Sequence, residues 1–80
     1  MKNKRKVIKI LQEISGKKRV AESVNLRTGL GLDSLEMVRL MIALEERLGV
    51  ELAEADMDPA ALRTVRDVVT LAEKYSGESE

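Results

Sequence analysis

Apolar residues recur at helical spacing along nearly the whole chain. Val7, Ile10, Leu11 and Ile14 follow the i, i+3, i+4, i+7 pattern of an amphipathic helix and predict a first helix over residues 4–15. Gly16 stands where the chain must leave that helix, and Lys17 and Lys18 suit the negative end of its dipole. Residues 16–33 then form a long connection carrying Val20, Val24, Leu26, Leu30 and Leu32. A connection of this length in a small domain is usually functional or disordered, and its regularly placed aliphatics predict that it is packed down. A second helix is expected from Asp33 or Ser34 to Leu48, with Asp33 as N-cap, Glu36 completing a capping box and Gly49 ending it. After Val50–Leu52, Asp58 and Pro59 predict a short helical turn over 58–63. Thr64 and Asp67 then open the last helix, whose buried side is Val65, Val68, Val69, Leu71 and Ala72. Residues 1–3 and 76–80 are expected to be disordered tails. The expected fold class is all-α, a bundle of three main helices and one short one.

The second helix carries one apolar face too many. At about 100° per residue, Met37, Leu40, Met41, Leu44 and Leu48 share a stripe wide enough to face a core. Leu35, Val38 and Ile42 fall nearly opposite, among Arg39, Glu45 and Glu46. One helix in so short a chain cannot bury both sides. The second group is therefore expected at the surface, where an apolar centre supplies affinity to a transient partner and a charged rim supplies orientation. The competing reading packs Val38 or Ile42 under the long connection.

Composition narrows the chemistry. Eighty residues are expected to form a single domain, and the chain has no His, Cys, Trp or Phe and a single Tyr, Tyr75. Thiol catalysis, His-based acid–base chemistry, zinc sites and disulfides are thereby closed, and neither a catalytic nor a metal-ligating residue is expected. The apolar runs are too short to span a bilayer and no signal-peptide core follows the basic N-terminus, so a soluble, cytoplasmic protein is expected. Basic and acidic residues balance at fourteen each, but unevenly: residues 1–19 hold eight basic side chains against Glu13 alone. Six basic and thirteen acidic groups remain for residues 20–80. Such asymmetry marks either a nucleic-acid or membrane contact or a solvated helix face; no aromatic residue lies in the basic run to stack on a base.

The stretch Leu30-Gly31-Leu32-Asp33-Ser34-Leu35-Glu36, followed by Val38, Leu40, Ala43-Leu44-Glu45-Glu46 and Leu48, resembles the signature of the acyl carrier proteins and the related peptidyl carrier domains. Leu26 falls where that family often has Phe, and Leu62-Arg63-Thr64-Val65 is similar to the stretch leading into its last helix. The resemblance covers most of the chain, as one carrier domain over residues 1–80. It implies a four-helix bundle, with a short third helix and a long loop between helices 1 and 2. It also implies that Ser34, flanked by Asp33 and Leu35, receives a covalent 4′-phosphopantetheine arm whose thiol carries an acyl or aminoacyl thioester. The implied partners are a phosphopantetheinyl transferase, a loading enzyme and the synthases or transferases of a fatty-acid, polyketide or related lipid pathway. They would engage Leu35, Glu36, Val38, Arg39, Ile42, Glu45 and Glu46 of a monomeric carrier. Asp33 would help place the transferase's magnesium ion, and Gly31, with Gly29, would let the backbone turn sharply. Nothing in the chain activates Ser34 as a nucleophile, so it is expected to be a substrate and shuttle and not an enzyme.

The chain departs from the acidic fatty-acid carriers in four places. Arg27, Thr28 and Gly29 precede Leu30 where carboxylates are usual, Arg39 replaces a common Glu, Ala53 replaces a common Pro, and the first helix is basic. A Glu-to-Arg exchange turns attraction to a basic enzyme surface into repulsion, which points to a specialised carrier. Acyl and aminoacyl loading remain open, the alternative being a freestanding peptidyl or aminoacyl carrier of a nonribosomal-peptide pathway, and so does enclosure of a short acyl chain by the helices. Other classes compete. A nucleic-acid module would use the basic run over residues 2–19, although no helix carries side chains suited to base readout, and nucleic acid is not an expected partner. An interaction domain would use the Leu35, Val38 and Ile42 patch alone.

Overall fold

Three helices carry the fold in the computed structural model, which describes residues 2–53 and 61–76. They are α1 (Lys2–Ser15), α2 (Ser34–Leu48) and α3 (Val65–Ser76), so the described chain is all-helical. The extended pairing seen among the described residues is a single antiparallel bridge between Asn25 and Thr64. Helix α1 packs on both α2 and α3, which touch one another only sparsely. Val7, Ile10 and Leu11 of α1 meet Met37, Leu40, Met41 and Leu44 of α2, and Val65, Val68 and Val69 of α3, in one buried cluster.

Two boundaries shift. Lys2 and Asn3 belong to α1 and Ser76 to α3, where tails were expected. A residue added to a formed helix fixes one more pair of dihedrals and completes one more i→i−4 bond, so a formed helix readily extends by a residue or two. Residue 1 and residues 77–80 lie outside the described residues. So do residues 58–60 of the expected short helical turn. Its remainder is not helical: Ala61 lies in a turn, and Leu62 and Arg63 run on without helical structure into the bridge at Thr64. The Arg63 carbonyl accepts from the Leu26 N–H at 2.8 Å and is thereby drawn into pairing with the first connection.

Residues 16–33 are held onto the start of α3. Besides the Leu26 bond, Val65 N–H donates to the Val24 carbonyl at 3.0 Å and Arg66 N–H to the Glu22 carbonyl at 2.9 Å. Glu22 also pairs with Lys4 of α1 and, at 3.7 Å, with Arg66 of α3. The Lys4 hydrogen bond, reinforced by the two positive charges, holds its carboxyl below the ordinary range. Leu26, Leu30 and Leu32 are buried in the core, and a buried leucine stabilises by about 1.5–3 kcal/mol. Asn25 Oδ1 accepts from the N–H groups of Arg27 and Thr28 at 2.9 and 3.0 Å, closing a tight turn. Gly29 sits on that turn because of a close approach and not a left-handed backbone. A Cβ there would lie 2.5 Å from Val24 Cγ1 and 2.7 Å from the Asn25 carbonyl oxygen.

The last helix starts on a reciprocal cap. Asp67 Oδ2 accepts from the N–H groups of Arg63 and Thr64 at 2.9 and 3.0 Å, while Asp67 N–H donates to Thr64 Oγ1 at 3.3 Å. The bonds from Thr64 and then Arg63 hold the Asp67 carboxyl below its ordinary value of 3.8. Past α2, Ala53 N–H donates to the Tyr75 hydroxyl at 2.8 Å, so the single aromatic side chain ties this segment to α3.

Gly29→Ala is expected to lower the free energy of unfolding by about 1–3 kcal/mol in urea titrations, because backbone and Val24 must both give way. A loss under about 0.5 kcal/mol would contradict the close approach. Asp67 contributes stability above its ordinary pKa of 3.8, and that contribution fades as pH falls through the lower folded value. The melting temperature of Asp67→Asn should therefore fall less steeply than that of the wild type as pH drops below about 4. Parallel pH profiles would contradict this.

Candidate functional site

Leu30 and Leu32 are buried on either side of Gly31, whose φ of 73° is open to glycine at little cost. Leu32 N–H donates to the Leu26 carbonyl at 3.0 Å, so the chain reaches α2 from a fixed direction. There Asp33 takes the N-cap position with extended backbone, φ −92° and ψ −175°. Its Oδ1 accepts from Glu36 N–H at 2.8 Å, and Glu36 Oε1 accepts from Asp33 N–H at 3.3 Å. The capping box expected from the sequence is present.

This cap decides what Ser34 is free to do. Serine is itself a common N-cap, but Asp33 holds that place, so Ser34 is the first helical residue and its hydroxyl has no capping task. Ser34 is exposed, and its hydroxyl makes no hydrogen bond among the described residues. The backbone N–H groups of Ser34 and Leu35 find no acceptor there either. Free N–H groups at the positive end of a 15-residue helix favour a phosphate on the neighbouring oxygen. Hence the end of α2 fits a phosphodiester at Ser34.

Beside Ser34 lies a cleft of about 330 Å³, lined by Arg27, Ser34, Met37, Val38, Met41, Ile42 and Glu45. It follows the seam between the buried and exposed stripes of α2. Leu35, Val38 and Ile42 are 63%, 54% and 49% exposed, so they do not pack beneath the connection. Arg39 and Glu46 are exposed on the same helix. Glu36 and Glu45, expected on the rim, have tasks inside the fold: Glu36 closes the cap, and Glu45 Oε2 accepts from Leu52 N–H at 3.0 Å. Glu45 also receives the N–H of Gly49 on its carbonyl, which places it at the C-cap of α2 as well as in the cleft.

Sequence reasoning missed Arg27, Met37 and Met41 as cleft residues. The methionines read as core, which they are, but Met37–Val38 and Met41–Ile42 are adjacent pairs four residues apart. Such pairs mark a helical seam where one stripe meets the other, and that signal was present. Arg27 offers no comparable signal, since only the fold of the first connection brings it to α2. No group of three or more Asp or Glu side chains among the described residues is placed to hold a metal ion. No helix among them is long and apolar enough to cross a membrane.

Comparison with known proteins bears on the same residues. A family model described as the phosphopantetheine attachment site matches residues 5–72. The acyl carrier protein of Rickettsia bellii (strain OSU 85-389) is 38% identical over 72 residues, covering 88% of this chain and 86% of that protein. That of Thermotoga maritima is 36% identical over 74 residues, covering 90% of this chain and 89% of its own. The meromycolate extension acyl carrier protein of Mycobacterium leprae (strain TN) is 32% identical over 75 residues, which are 91% of this chain but 64% of that longer protein. The chain thus spans less than two thirds of the mycobacterial relative. An exposed serine at the head of a capped helix, inside a match of this extent, makes the chain a member of the phosphopantetheine-attachment-site family.

Proposed function

We propose that the protein is an acyl carrier that bears 4′-phosphopantetheine on Ser34 and presents acyl intermediates to the enzymes of a fatty-acid or related lipid pathway. The observation that supports this most directly is the uncommitted, exposed Ser34 hydroxyl at the first position of α2, beside an apolar cleft. When bound, the arm supplies the thiol on which the cargo is held as a thioester. The chain's own part is positional. Asp33 caps the helix and keeps the serine oxygen exposed, and the free N–H groups of Ser34 and Leu35 stabilise the phosphodiester charge. Loading joins Ser34 Oγ to the phosphorus of coenzyme A and releases the nucleotide half. The sequence has no His to take the hydroxyl proton, so the base comes from the transferase, with Asp33 beside its magnesium ion. The protein is in this reading a substrate and carrier, not a catalyst.

Partner enzymes meet Leu35, Val38 and Ile42 in the centre, with Arg39 and Glu46 as the accessible charges and Glu36 and Glu45 behind them. Arg39 favours partners with acidic or neutral docking surfaces over those built for acidic carriers. The full architecture inferred is the family's four-helix bundle as one cytoplasmic, monomeric carrier domain over residues 1–80.

The test incubates wild type and Ser34→Ala with a broad-specificity phosphopantetheinyl transferase, coenzyme A and magnesium, followed by intact-mass measurement and peptide mapping. Wild type gains a single phosphopantetheinyl increment on the peptide holding Ser34. Ser34→Ala gains none, with its circular dichroism unchanged and its stability within about 0.5 kcal/mol, since Asp33 remains the cap. An increment on the variant, or none on folded wild type beside a working control carrier, would contradict the assignment.

A further inference from the structure

The basic half of the charge asymmetry has a defined place in the fold. Val7, Ile10 and Leu11 turn inward, so Arg5 and Lys9, four residues apart, stand on the outward side of α1. Arg5, Ile8, Lys9 and Gln12, with Lys4, line a groove of about 390 Å³. Lys9 and Gln12 also border a second depression that ends at Lys17 and Lys18, so the two run on into each other. Gln12 Nε2 donates to the Lys18 carbonyl at 2.6 Å and fixes the turn after α1 against the helix. Lys4 is paired with Glu22, and Glu13 at the rim is paired with Arg47, but Arg5, Lys9, Lys17 and Lys18 have no ion-pair partner among the described residues. The floor of the groove is Ile8, half-buried against the core.

We propose that this outward face of α1 docks an acidic amphipathic helix of a partner protein. Its carboxylates at i and i+4 would meet Arg5 and Lys9, an aliphatic side chain between them would cover Ile8, and further carboxylates would reach Lys17 and Lys18. Other occupants fit less well. A second copy of the chain offers no i, i+4 pair of uncommitted carboxylates on one helix among the described residues. Glu13 and Glu22 are in ion pairs, Asp33, Glu36 and Asp67 are in helix caps, Glu45 holds Leu52, Glu46 and Glu73 lie on different helices, and Glu51 lies on none. A nucleic acid would find no stacking platform, because the single aromatic side chain is Tyr75 of α3, and its phosphates gain nothing from an apolar floor. An anionic membrane needs exposed apolar side chains to insert, and the large ones among the described residues are Leu35, Val38 and Ile42 of α2. The groove shares no residue with the Ser34 cleft. A partner seated on α1 therefore leaves Ser34 open to a second enzyme.

The experiment follows backbone amide shifts of the full, unmodified chain. Three probes are titrated at low and moderate salt: a synthetic helix with Glu at i and i+4 flanking a Leu, a random-sequence DNA duplex, and phosphatidylglycerol vesicles. The peptide should bind most tightly and shift Arg5, Ile8, Lys9, Gln12 and Lys18 while leaving Ser34 and Val38 in place. Its affinity should fall about tenfold in R5E/K9E and weaken with salt. Should that variant lose helicity, K17E/K18E, outside the helix, serves the same purpose. Absence of peptide binding, undiminished binding to the folded variants, or tighter binding of duplex or vesicles would overturn the proposal.

Discussion

Everything at the head of α2 depends on a few backbone hydrogen bonds between two segments far apart in sequence. Residues 22–26 exchange N–H and carbonyl groups with residues 63–66, and buried Leu26 anchors the crossing from below. A connection as long as 16–33 has conformational freedom enough to leave the helix it feeds without a fixed direction. Pinned at Leu26 and again at Leu30 and Leu32, it enters α2 along one path. Buried polar backbone needs partners, and here the start of α3 supplies them. Glu22 strengthens the same junction by pairing with a cation from each flanking helix.

From that fixed approach follows a division of tasks over four residues. Gly31 turns the chain, Leu32 is buried, Asp33 caps, and Ser34 is left exposed with nothing to do inside the fold. Carriage of a flexible arm needs little more: a rigid attachment point, an end-of-helix field that favours a phosphate, and an apolar surface that neighbouring enzymes can recognise. The exposed row on α2 leaves apolar area in water. That is tolerable because Met37, Leu40, Met41 and Leu44 of the same helix are buried in the core.

Much of this was legible in the sequence because it is local. The Val7, Ile10, Leu11 periodicity, the Asp33–Glu36 and Thr64–Asp67 boxes, and the two stripes of α2 are set by residues within a turn or two of each other. What was not legible is non-local. The Asn25–Thr64 bridge gives no periodic signal, and it keeps Leu62 and Arg63 out of a helical turn. Gly29 reads as a second glycine for a sharp turn until the fold shows Val24 and Asn25 pressed against it. Glu45 reads as a rim charge, although Leu52 holds one of its oxygens, and Arg27 reaches the cleft only through the folded connection.

Hydrogen exchange resolved at single amides tests the central claim most directly. If residues 22–26 and 63–66 hold the connection, the amides of Leu26, Val65 and Arg66 should exchange as slowly as those of Leu40 and Val68 in the helices. They should open with the helices in one cooperative unit. Exchange at the rate of the exposed Lys18 amide, with the helices still protected, would show that the connection is loose and that Ser34 is placed by α2 alone.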